Sequence, residues 1–406
     1  MDSQHPQEVV DYTKQGLPQT IILGLQHGFT MFGATVLVPI ITGLDISVAL
    51  FMAGVGTLLF HFVTKNKVPA FLGSSFAFIA PILLVADKFG IPYALGGIVA
   101  AGLIYLLFSF LVSYFGPEKV IAFFPPVVTG PVIMVIGLKL APTAIGMASE
   151  NWWIALVGFV IVVLVSSYTR GFLKVIPVLL GIVIGYIVAI IFGLVDFTPV
   201  AEAKWLGFPQ FTVAKFNWNA IMIVAPVALV TVIEHIGDVL AIGATAEKDF
   251  VKNPGLHKTL LGDGLATSVS AFFGGPANTT YSENTGVLAL TKVYNPIVMR
   301  IAAVFAIIIG LVPKLGAIIA TIPGALIGGI SIILFGMIAA VGVRTVVENK
   351  VNLEKSRNLI IAATILILSL GGVSIPISLG NGQIEIEGMA LGALVGIILN
   401  KVMPNE

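Results

Sequence analysis

Long apolar stretches recur along the chain from Ile21 almost to the C-terminus, and short polar segments separate them. Most stretches have about 17–25 residues, the length that a helix needs to cross a bilayer. The pattern predicts an all-α polytopic membrane protein with fourteen transmembrane spans. We place the spans near residues 19–41, 47–64, 74–87, 92–114, 119–140, 151–168, 172–194, 217–245, 258–273, 283–292, 296–312, 315–341, 357–372 and 386–402.

Two of the predicted spans, 74–87 and 283–292, are conspicuously short. Each follows a polar or glycine-rich stretch, Phe71–Ser75 in one case and Gly274–Tyr281 in the other. Extended backbone at membrane depth needs a partner for its main-chain groups. We therefore expect short antiparallel strands that precede half-helices in spans 3 and 10. Short, interrupted spans at matching places in two halves of a chain indicate a transporter's binding site.

The two halves of the chain match at an offset of 208 residues. This offset pairs Gln26-His27 with Glu234-His235 and Ser74 with Ser282, and it also pairs several glycines. Seven spans in each half is an odd number, so the second half enters the membrane from the opposite side. The pattern predicts two inverted seven-span repeats.

The distribution of positive charge agrees with fourteen spans. With the N-terminus in the cytoplasm, sixteen of the 21 lysines and arginines fall in inner segments. Cytoplasmic loops carry such an excess. We therefore predict a multi-pass protein of the cell membrane with both termini in the cytoplasm.

Composition and motifs exclude several classes of function. The chain is 57% hydrophobic and only 10% charged, with a mean hydropathy of +1.05, whereas soluble domains have about 25% charged residues. A net charge of +1 gives no indication of nucleic-acid binding, and the absence of cysteine excludes disulfides. No sequence motif for ATP binding, catalysis or a metal site is present. We expect no enzyme activity, cofactor or metal.

Candidate chemistry begins with Glu234, which interrupts an apolar run in span 8. A carboxyl group at this depth costs about 2.5–3.5 kcal/mol on insertion scales, so such a group usually binds an ion, a proton or a substrate. Asp238 lies four residues later on the same helix face. Two acids on one face predict a proton-binding role for Glu234. His235 and His27 are candidates either for proton transfer or for packing at a helix interface.

Glu283 stands at the start of the second short span, where free backbone N–H groups stabilise acceptor atoms. Phe76 and Tyr281 are near the two short spans and are candidates for aromatic contacts or for ordinary packing. Carboxylates, backbone amides and aromatic faces together suit a small, flat, neutral ring with both N–H donors and carbonyl acceptors. Two carboxylates do not suit a bare inorganic anion.

The segment Glu283–Lys292 resembles the signature of the nucleobase–ascorbate transporter family, and the resemblance covers about residues 17–402. It implies a core domain of spans 1–4 and 8–11 and a gate domain of spans 5–7 and 12–14. The corresponding segments are 1–18 (cytoplasmic N-terminal tail), 19–114 and 217–312 (core), 115–194 and 313–402 (gate), and 195–216 (extracellular connector).

The resemblance also implies a function, secondary active import of uracil by proton symport in a bacterial plasma membrane. Glutamate at position 283 is similar to the uracil permeases. Glu234, Glu283, Phe76, Tyr281, Ser282 and Phe335 are the implied substrate contacts; Glu234, Asp238 and His235 the proton-coupling residues; and Gln26, His27 and Asn284 the supporting residues. The partners are a nucleobase and membrane lipid, and the resemblance allows a homodimer through the gate domain.

Two alternatives stay open. Asp238 and Ser282 depart from close uracil relatives, and aspartate at position 238 is common in purine members. A purine or xanthine permease of the same family is therefore the first alternative. An anion transporter with the same seven-plus-seven fold is the second.

Overall fold

A computed structural model of the chain describes residues 16–379 and 382–404. The first half contains α1 (Leu17–Thr42), α2 (Ile46–Val63), β1 (Leu72–Ser74), α3 (Ile79–Phe89), α4 (Ile91–Phe115), α5 (Pro117–Ile121), α6 (Pro126–Lys139), α7 (Ala141–Ser149), α8 (Trp152–Tyr168) and α9 (Pro177–Ile191). Most of the predicted N-terminal tail lies outside the described residues.

The second half repeats much of this order. It contains α10 (Thr198–Glu202), α11 (Trp218–Val224), α12 (Ala228–Ala246), α13 (Leu256–Phe272), β2 (Asn278–Thr280), α14 (Ser282–Thr291), α15 (Ile297–Gly310), α16 (Pro313–Ala320), α17 (Gly324–Glu348), α18 (Ser356–Leu370), β3 (Ser374–Leu379), β4 (Gly382–Glu387) and α19 (Gly388–Val402). In both halves two long helical segments precede a three-residue strand, and a short helix follows that strand.

Six helical segments of the described chain are long and apolar enough to cross a membrane, or seven if the bent pair α15–α16 counts as one span. The six are Leu17–Thr42, Ile46–Val63, Ile91–Phe115, Pro126–Ser149, Trp218–Ala246 and Gly324–Glu348. Four further apolar helices, α8, α9, α18 and α19, have 10–17 residues. The chain is thus mostly helical, with the apolar helices of a multi-pass membrane protein.

Two predicted span starts were wrong by seven residues or more, and proline explains both. The span predicted at 119–140 begins at Pro126, after a break at Pro125, and the span predicted at 315–341 begins after Pro323. Proline lacks an N–H group and suits the start of a helix rather than its interior. Residues 313–320 instead form α16, which is bent by 82° from α15.

A further difference is a hairpin before the last helix, which was not predicted; its second strand includes the first two residues of the span predicted at 386–402. Strands β3 and β4 pair antiparallel, with Ile375 opposite Ile386 and Ile377 opposite Ile384. The alternation of isoleucine with other residues in Ser374–Leu379 and Gly382–Glu387 has the two-residue period of a strand. This period was the signal that could have predicted the hairpin.

The helices pack in two groups. In the first, α1, α2, α4, α13 and α15 contact one another in pairs, and the short helices α3 and α14 join them. In the second, α17 packs against α6, α7, α8 and α9, while α18 and α19 pack against each other and against α6. Helix α12 contacts α4, α13 and α14 of the first group and also α6 and α19 of the second. The two groups therefore meet at α12, and they also meet where α1 contacts α9.

Close packing within the first group depends on small residues. At Gly102 in α4, a Cβ atom would lie 2.6 Å from the carbonyl oxygen of Gly264 in α13. At Gly264, a Cβ atom would lie 2.8 Å from the carbonyl oxygen of Gly102. Glycine at both positions therefore lets the two backbones approach as closely as membrane helices do at small-residue interfaces.

The predicted strand pair is confirmed. Strands β1 and β2 are antiparallel, with Leu72 opposite Thr280, Gly73 opposite Thr279 and Ser74 opposite Asn278. Further main-chain bonds run from Ser75 N–H to the Ala277 carbonyl (2.9 Å) and from Tyr281 N–H to the Phe71 carbonyl (3.0 Å). The pair joins the starts of the two short helices, α3 and α14.

Two threonines complete the outer edges of this strand pair. Thr57 of α2 accepts from the N–H of Leu72 (2.9 Å) and donates to its carbonyl (3.1 Å). Thr267 of α13 donates to the carbonyl of Asn278 (3.0 Å) and accepts from its N–H (3.2 Å). One hydroxyl thus satisfies both outward main-chain groups of a residue at each edge, which extended backbone away from water requires.

Replacing Thr267 with valine should destabilise the protein, because valine has the shape of threonine but leaves both main-chain groups of Asn278 unpaired. Unpaired buried polar groups cost about 1–3 kcal/mol each. We expect a clear fall in the melting temperature of the purified protein. The matched control is Thr245→Val, at a half-buried threonine whose hydroxyl donates only to the carbonyl of Ala241 within α12. Equal melting temperatures for the two variants would contradict this role of Thr267.

Candidate substrate site

Helix α14 begins immediately after β2 and carries Glu283 in its first turn. Tyr281, at the N-cap position, makes no side-chain hydrogen bond to the free N–H groups of this turn. Glu283 is half-buried. The strand pair therefore places a carboxyl group and uncapped backbone donors side by side, and the helix dipole favours acceptor atoms at this position.

Glu234 lies on α12, which contacts α14, and it is also half-buried. One turn later on α12, buried Asp238 accepts a hydrogen bond from the hydroxyl of Ser282 at 2.7 Å. This bond fixes α12 against the first residue of α14. The structure thus brings Glu234 and Asp238 of α12 close to Ser282 and Glu283 of α14, and the binding of a substrate by these residues stays a prediction.

His235 contacts Asp263, an acid that was not among the predicted site residues. Its Nδ1 atom lies 2.7 Å from Oδ2 of Asp263 and 3.1 Å from the hydroxyl of Thr280, and the side chains of His235 and Asp263 are fully buried. The rings of Phe60 and Tyr105 pack edge-on against the imidazole, with centroids 6.5 and 6.2 Å away. His235 therefore ties α12 to β2 and to α13.

Asp263 carried a signal of its own in the sequence. It lies between two glycines inside the predicted span 258–273, and an acid in a membrane span is a candidate functional residue by default. The hydroxyl of Thr280 also lies within hydrogen-bond distance of His235 Nδ1. No sequence pattern indicated this contact, because it depends on the strand register.

The predicted supporting residues also meet at α14. Asn284 donates from Nδ2 to the carbonyl of His27 (3.2 Å), and the same atom lies 3.1 Å from Nδ1 of His27. His27 and Asn284 are both buried. These contacts fix the first turn of α14 against α1, while Gln26 lies next to His27 on α1 and is half-buried.

Tyr281 lies behind the strand pair. Its hydroxyl donates to the carbonyl of Ser74 (3.1 Å) and accepts from the hydroxyl of Thr35 (3.2 Å), and only 4% of the residue is exposed. The ring covers Gly73, where a Cβ atom would lie 2.5 Å from it. Tyr281 therefore braces β1 against α1, and a direct contact between Tyr281 and a ligand stays a prediction.

Phe76 and Phe335 meet across the two helix groups. Phe76 follows β1 in a short 3₁₀ turn and is half-buried, whereas Phe335 of α17 is 1% exposed. Their ring centroids are 6.0 Å apart in an edge-to-face arrangement. Phe335 therefore does not face lipid, and it is the aromatic contact that the second helix group makes with the segment after β1.

Four carboxyl groups dominate the electrostatics of the site. Asp238, Asp263 and Glu283 all lie within electrostatic range of Glu234. Among the described residues, no lysine or arginine forms an ion pair with any of the four. Within the same part of the chain, no three His, Asp or Glu side chains are placed to share a metal ion. The described part of the site therefore presents acceptor oxygens without a fixed cation.

Several buried polar atoms of these residues have no hydrogen-bond partner within the described chain. They include Gln26 Oε1, His235 Nε2, Asp238 Oδ2, Asp263 Oδ1 and Asn284 Oδ1. Buried polar atoms are normally paired, so each unpaired one needs an explanation such as a ligand or an ordered water. The arrangement can therefore offer hydrogen bonds to a small polar molecule.

Comparison with known proteins identifies relatives over nearly the whole chain. A family model described as "Permease family" matches residues 18–378. The "Uracil permease" of Bacillus caldolyticus is 46% identical over 403 residues, covering 96% of this chain and 93% of that protein. The "Uracil permease" of Escherichia coli K12 is 42% identical over 397 residues, covering 95% of this chain and 91% of that protein.

Solved structures show the same fold at low sequence identity. The transmembrane domain of the cyanobacterial bicarbonate transporter BicA superposes with a TM-score of 0.63 at 16% identity, covering 95% of this chain and 97% of that chain. SLC26A9 superposes with a TM-score of 0.71 at 11% identity, covering 97% of this chain and 67% of that chain. These two likenesses concern the fold alone.

The signature at Glu283–Lys292, the matching family model and the full-length permease relatives agree with one another. The chain belongs to the nucleobase–ascorbate transporter family and is a multi-pass membrane transporter rather than an enzyme.

Proposed function

We propose that this chain imports uracil together with protons across a bacterial plasma membrane. The observation that carries the proposal is the pair of half-buried carboxyl groups, Glu234 and Glu283, that the Ser282–Asp238 hydrogen bond holds at the start of α14. Relatives that match nearly the full chain are named uracil permeases, which supports the choice of substrate.

The proposed binding mode follows from the chemistry of the uracil ring, which is flat and neutral with two N–H donors and two carbonyl acceptors. Glu234 and Glu283 would accept from the ring N–H groups. The uncapped N–H groups of the first turn of α14 would donate to a ring carbonyl. Phe76 would cover one face of the ring, and Phe335 would close the site from the second helix group.

Two features separate uracil from the alternatives. The first is the glutamate at position 283, which resembles the uracil members of the family. Asp238 resembles the purine members instead, so a purine or xanthine permease is the nearest alternative. An inorganic anion is disfavoured, because four carboxyl groups in the described site have no lysine or arginine partner. A like charge at this depth repels an anion strongly.

Proton coupling is the proposed reason for the acid cluster. Several carboxyl groups close together in a low dielectric cannot all be ionised without a large electrostatic cost, and a bound proton relieves it. We assign the transported proton to Glu234, with Asp238 as its neighbour on the same face. His235, which contacts Asp263, would act by positioning α12, and proton transfer through it remains the second option.

The proposed transport cycle uses two moving bodies in fourteen spans arranged as two inverted repeats. The first helix group would be the core domain with the ligands, and the second the gate domain. Packing supports this division, because most helix contacts lie within one group and few lie between them. Both termini would be cytoplasmic, and a homodimer would form through the gate domain.

Uptake of labelled uracil into proteoliposomes tests the proposed function directly. An inward proton gradient should drive accumulation above equilibrium, and a protonophore should abolish this accumulation. Unlabelled uracil should compete fully, and xanthine and hypoxanthine weakly. Stronger competition by xanthine would assign the chain to the purine alternative, and accumulation that survives the protonophore would exclude proton coupling.

Replacing Glu283 with glutamine should weaken uracil binding roughly ten- to hundredfold. The amide loses the charge-assisted hydrogen bond to a ring N–H group, which is worth about 1.5–3 kcal/mol. Equilibrium binding to the purified protein measures the effect. Glu118→Gln, at an exposed glutamate of α5, is the matched control and should bind normally. An unchanged affinity in Glu283→Gln would make Glu283 part of the scaffold.

Replacing Glu234 with glutamine separates binding from coupling. Glutamine mimics the protonated acid, so the variant should retain part of its uracil binding but lose accumulation driven by a proton gradient. Binding and gradient-driven uptake are measured on the same preparation. If the variant folds normally and loses both to the same extent, Glu234 binds the base without carrying the proton.

A further inference from the structure

A polar cavity of about 660 Å³ lies in the second helix group, away from the carboxyl cluster. It is bounded by the segment between α5 and α6, the connection from α17 to α18, and the C-terminal end of α19. Four cationic side chains line it, Lys350, Lys355, Arg357 and Lys401, together with asparagines from the same segments. No aspartate or glutamate is among its described lining residues.

Arg357 is held in place at this cavity by neutral groups. Its guanidinium donates to the side chain of Asn400 (2.8 Å), to the carbonyl of Met403 (3.4 Å) and to the side chain of Asn358 (3.2 Å). It is half-buried and forms no ion pair within the described chain. The guanidinium is therefore oriented in advance, and no carboxyl group of residues 16–379 or 382–404 pairs with it, which suits recognition of a phosphate group.

An apolar groove continues from the cavity along the surface. It has a volume of about 310 Å³ and shares Ala122, Asn400 and Lys401 with the cavity. Lys119, Phe123 and Ile397 line the rest of it, and the ammonium group of Lys401 lies 5.7 Å from the centre of the Phe123 ring. A cationic pocket thus adjoins an apolar track, and Lys401 stands between them.

We propose that this cavity and groove together bind one anionic phospholipid. The phosphate group would lie among Lys350, Arg357 and Lys401, and an acyl chain would follow Phe123 and Ile397 along the groove. The positive-inside pattern puts these cations on the cytoplasmic side, where anionic lipids attract basic segments. A free phosphate or phosphate ester has the same head-group chemistry, but it would leave the apolar groove unused.

The bound lipid would connect the ends of α6, α17, α18 and α19. All four helices contribute to the second helix group, so the lipid should stabilise that group. This inference needs the chain to be in a membrane, but it does not depend on the identity of the transported substrate.

Thermal unfolding of the full-length protein in an uncharged detergent tests the proposal. Phosphatidylglycerol should raise the melting temperature in a saturable manner, and phosphatidylcholine should raise it much less. Inorganic phosphate and glycerol phosphate at equal concentration should have little effect. Equal protection by either soluble phosphate, or by phosphatidylcholine, would overturn the assignment to an anionic phospholipid.

A double variant tests whether phosphatidylglycerol binds at this cavity. It leaves Arg357 unchanged, because the hydrogen bonds of Arg357 hold α18 against α19. Lys350→Gln with Lys401→Gln removes two exposed charges and should raise the half-saturating concentration of phosphatidylglycerol roughly tenfold or more, because each cation near an anionic lipid surface contributes up to about fivefold. The control is Lys174→Gln with Lys248→Gln, two exposed lysines outside the cavity. Equal lipid responses in both double variants would overturn the proposed site.

Discussion

The backbone hydrogen bonds of β1 and β2 are the constraint on which the rest of the site depends. Extended chain among apolar helices must pair all its main-chain N–H and C=O groups. The two strands pair with each other, and Thr57 and Thr267 satisfy groups at their outer edges. The paired strands let the chain enter the interior without unpaired main-chain groups. Helix α14 can therefore begin there, with no hydrogen bond from its N-cap side chain to its first N–H groups.

The strand pair also explains the positions of the acids. Glu283 lies three residues after the end of β2, and Asp238 accepts a hydrogen bond from the neighbouring Ser282. His235 is fixed by Thr280 of β2 and by Asp263 of α13. One short sheet therefore fixes α12 against α14, and with it the relative positions of Glu234 and Glu283, the two proposed ligands.

Much of this site could be predicted from the sequence, because polar residues in apolar runs carry their own signal. The strand pair was predicted correctly, and the choice of Glu234 and Glu283 as ligands stays a prediction. Asp263 carried the same signal and was missed. The orientation of Tyr281 could not be predicted, because it depends on which side of the sheet faces α1. The separation of α16 from α17 required attention to Pro323, and the β3–β4 hairpin required attention to a two-residue period in a short connector.

The central claim is that a nucleobase binds between α12 and the start of α14, in contact with both Glu234 and Glu283. An experimental structure of the protein with 5-bromouracil tests it most directly, because the anomalous signal of bromine locates the ring without reference to the protein. We predict one bromine peak beside the first turn of α14, with the ring N–H groups within hydrogen-bond distance of the two carboxyl groups. A ring bound elsewhere, or bound without contact to either carboxyl group, would contradict the claim.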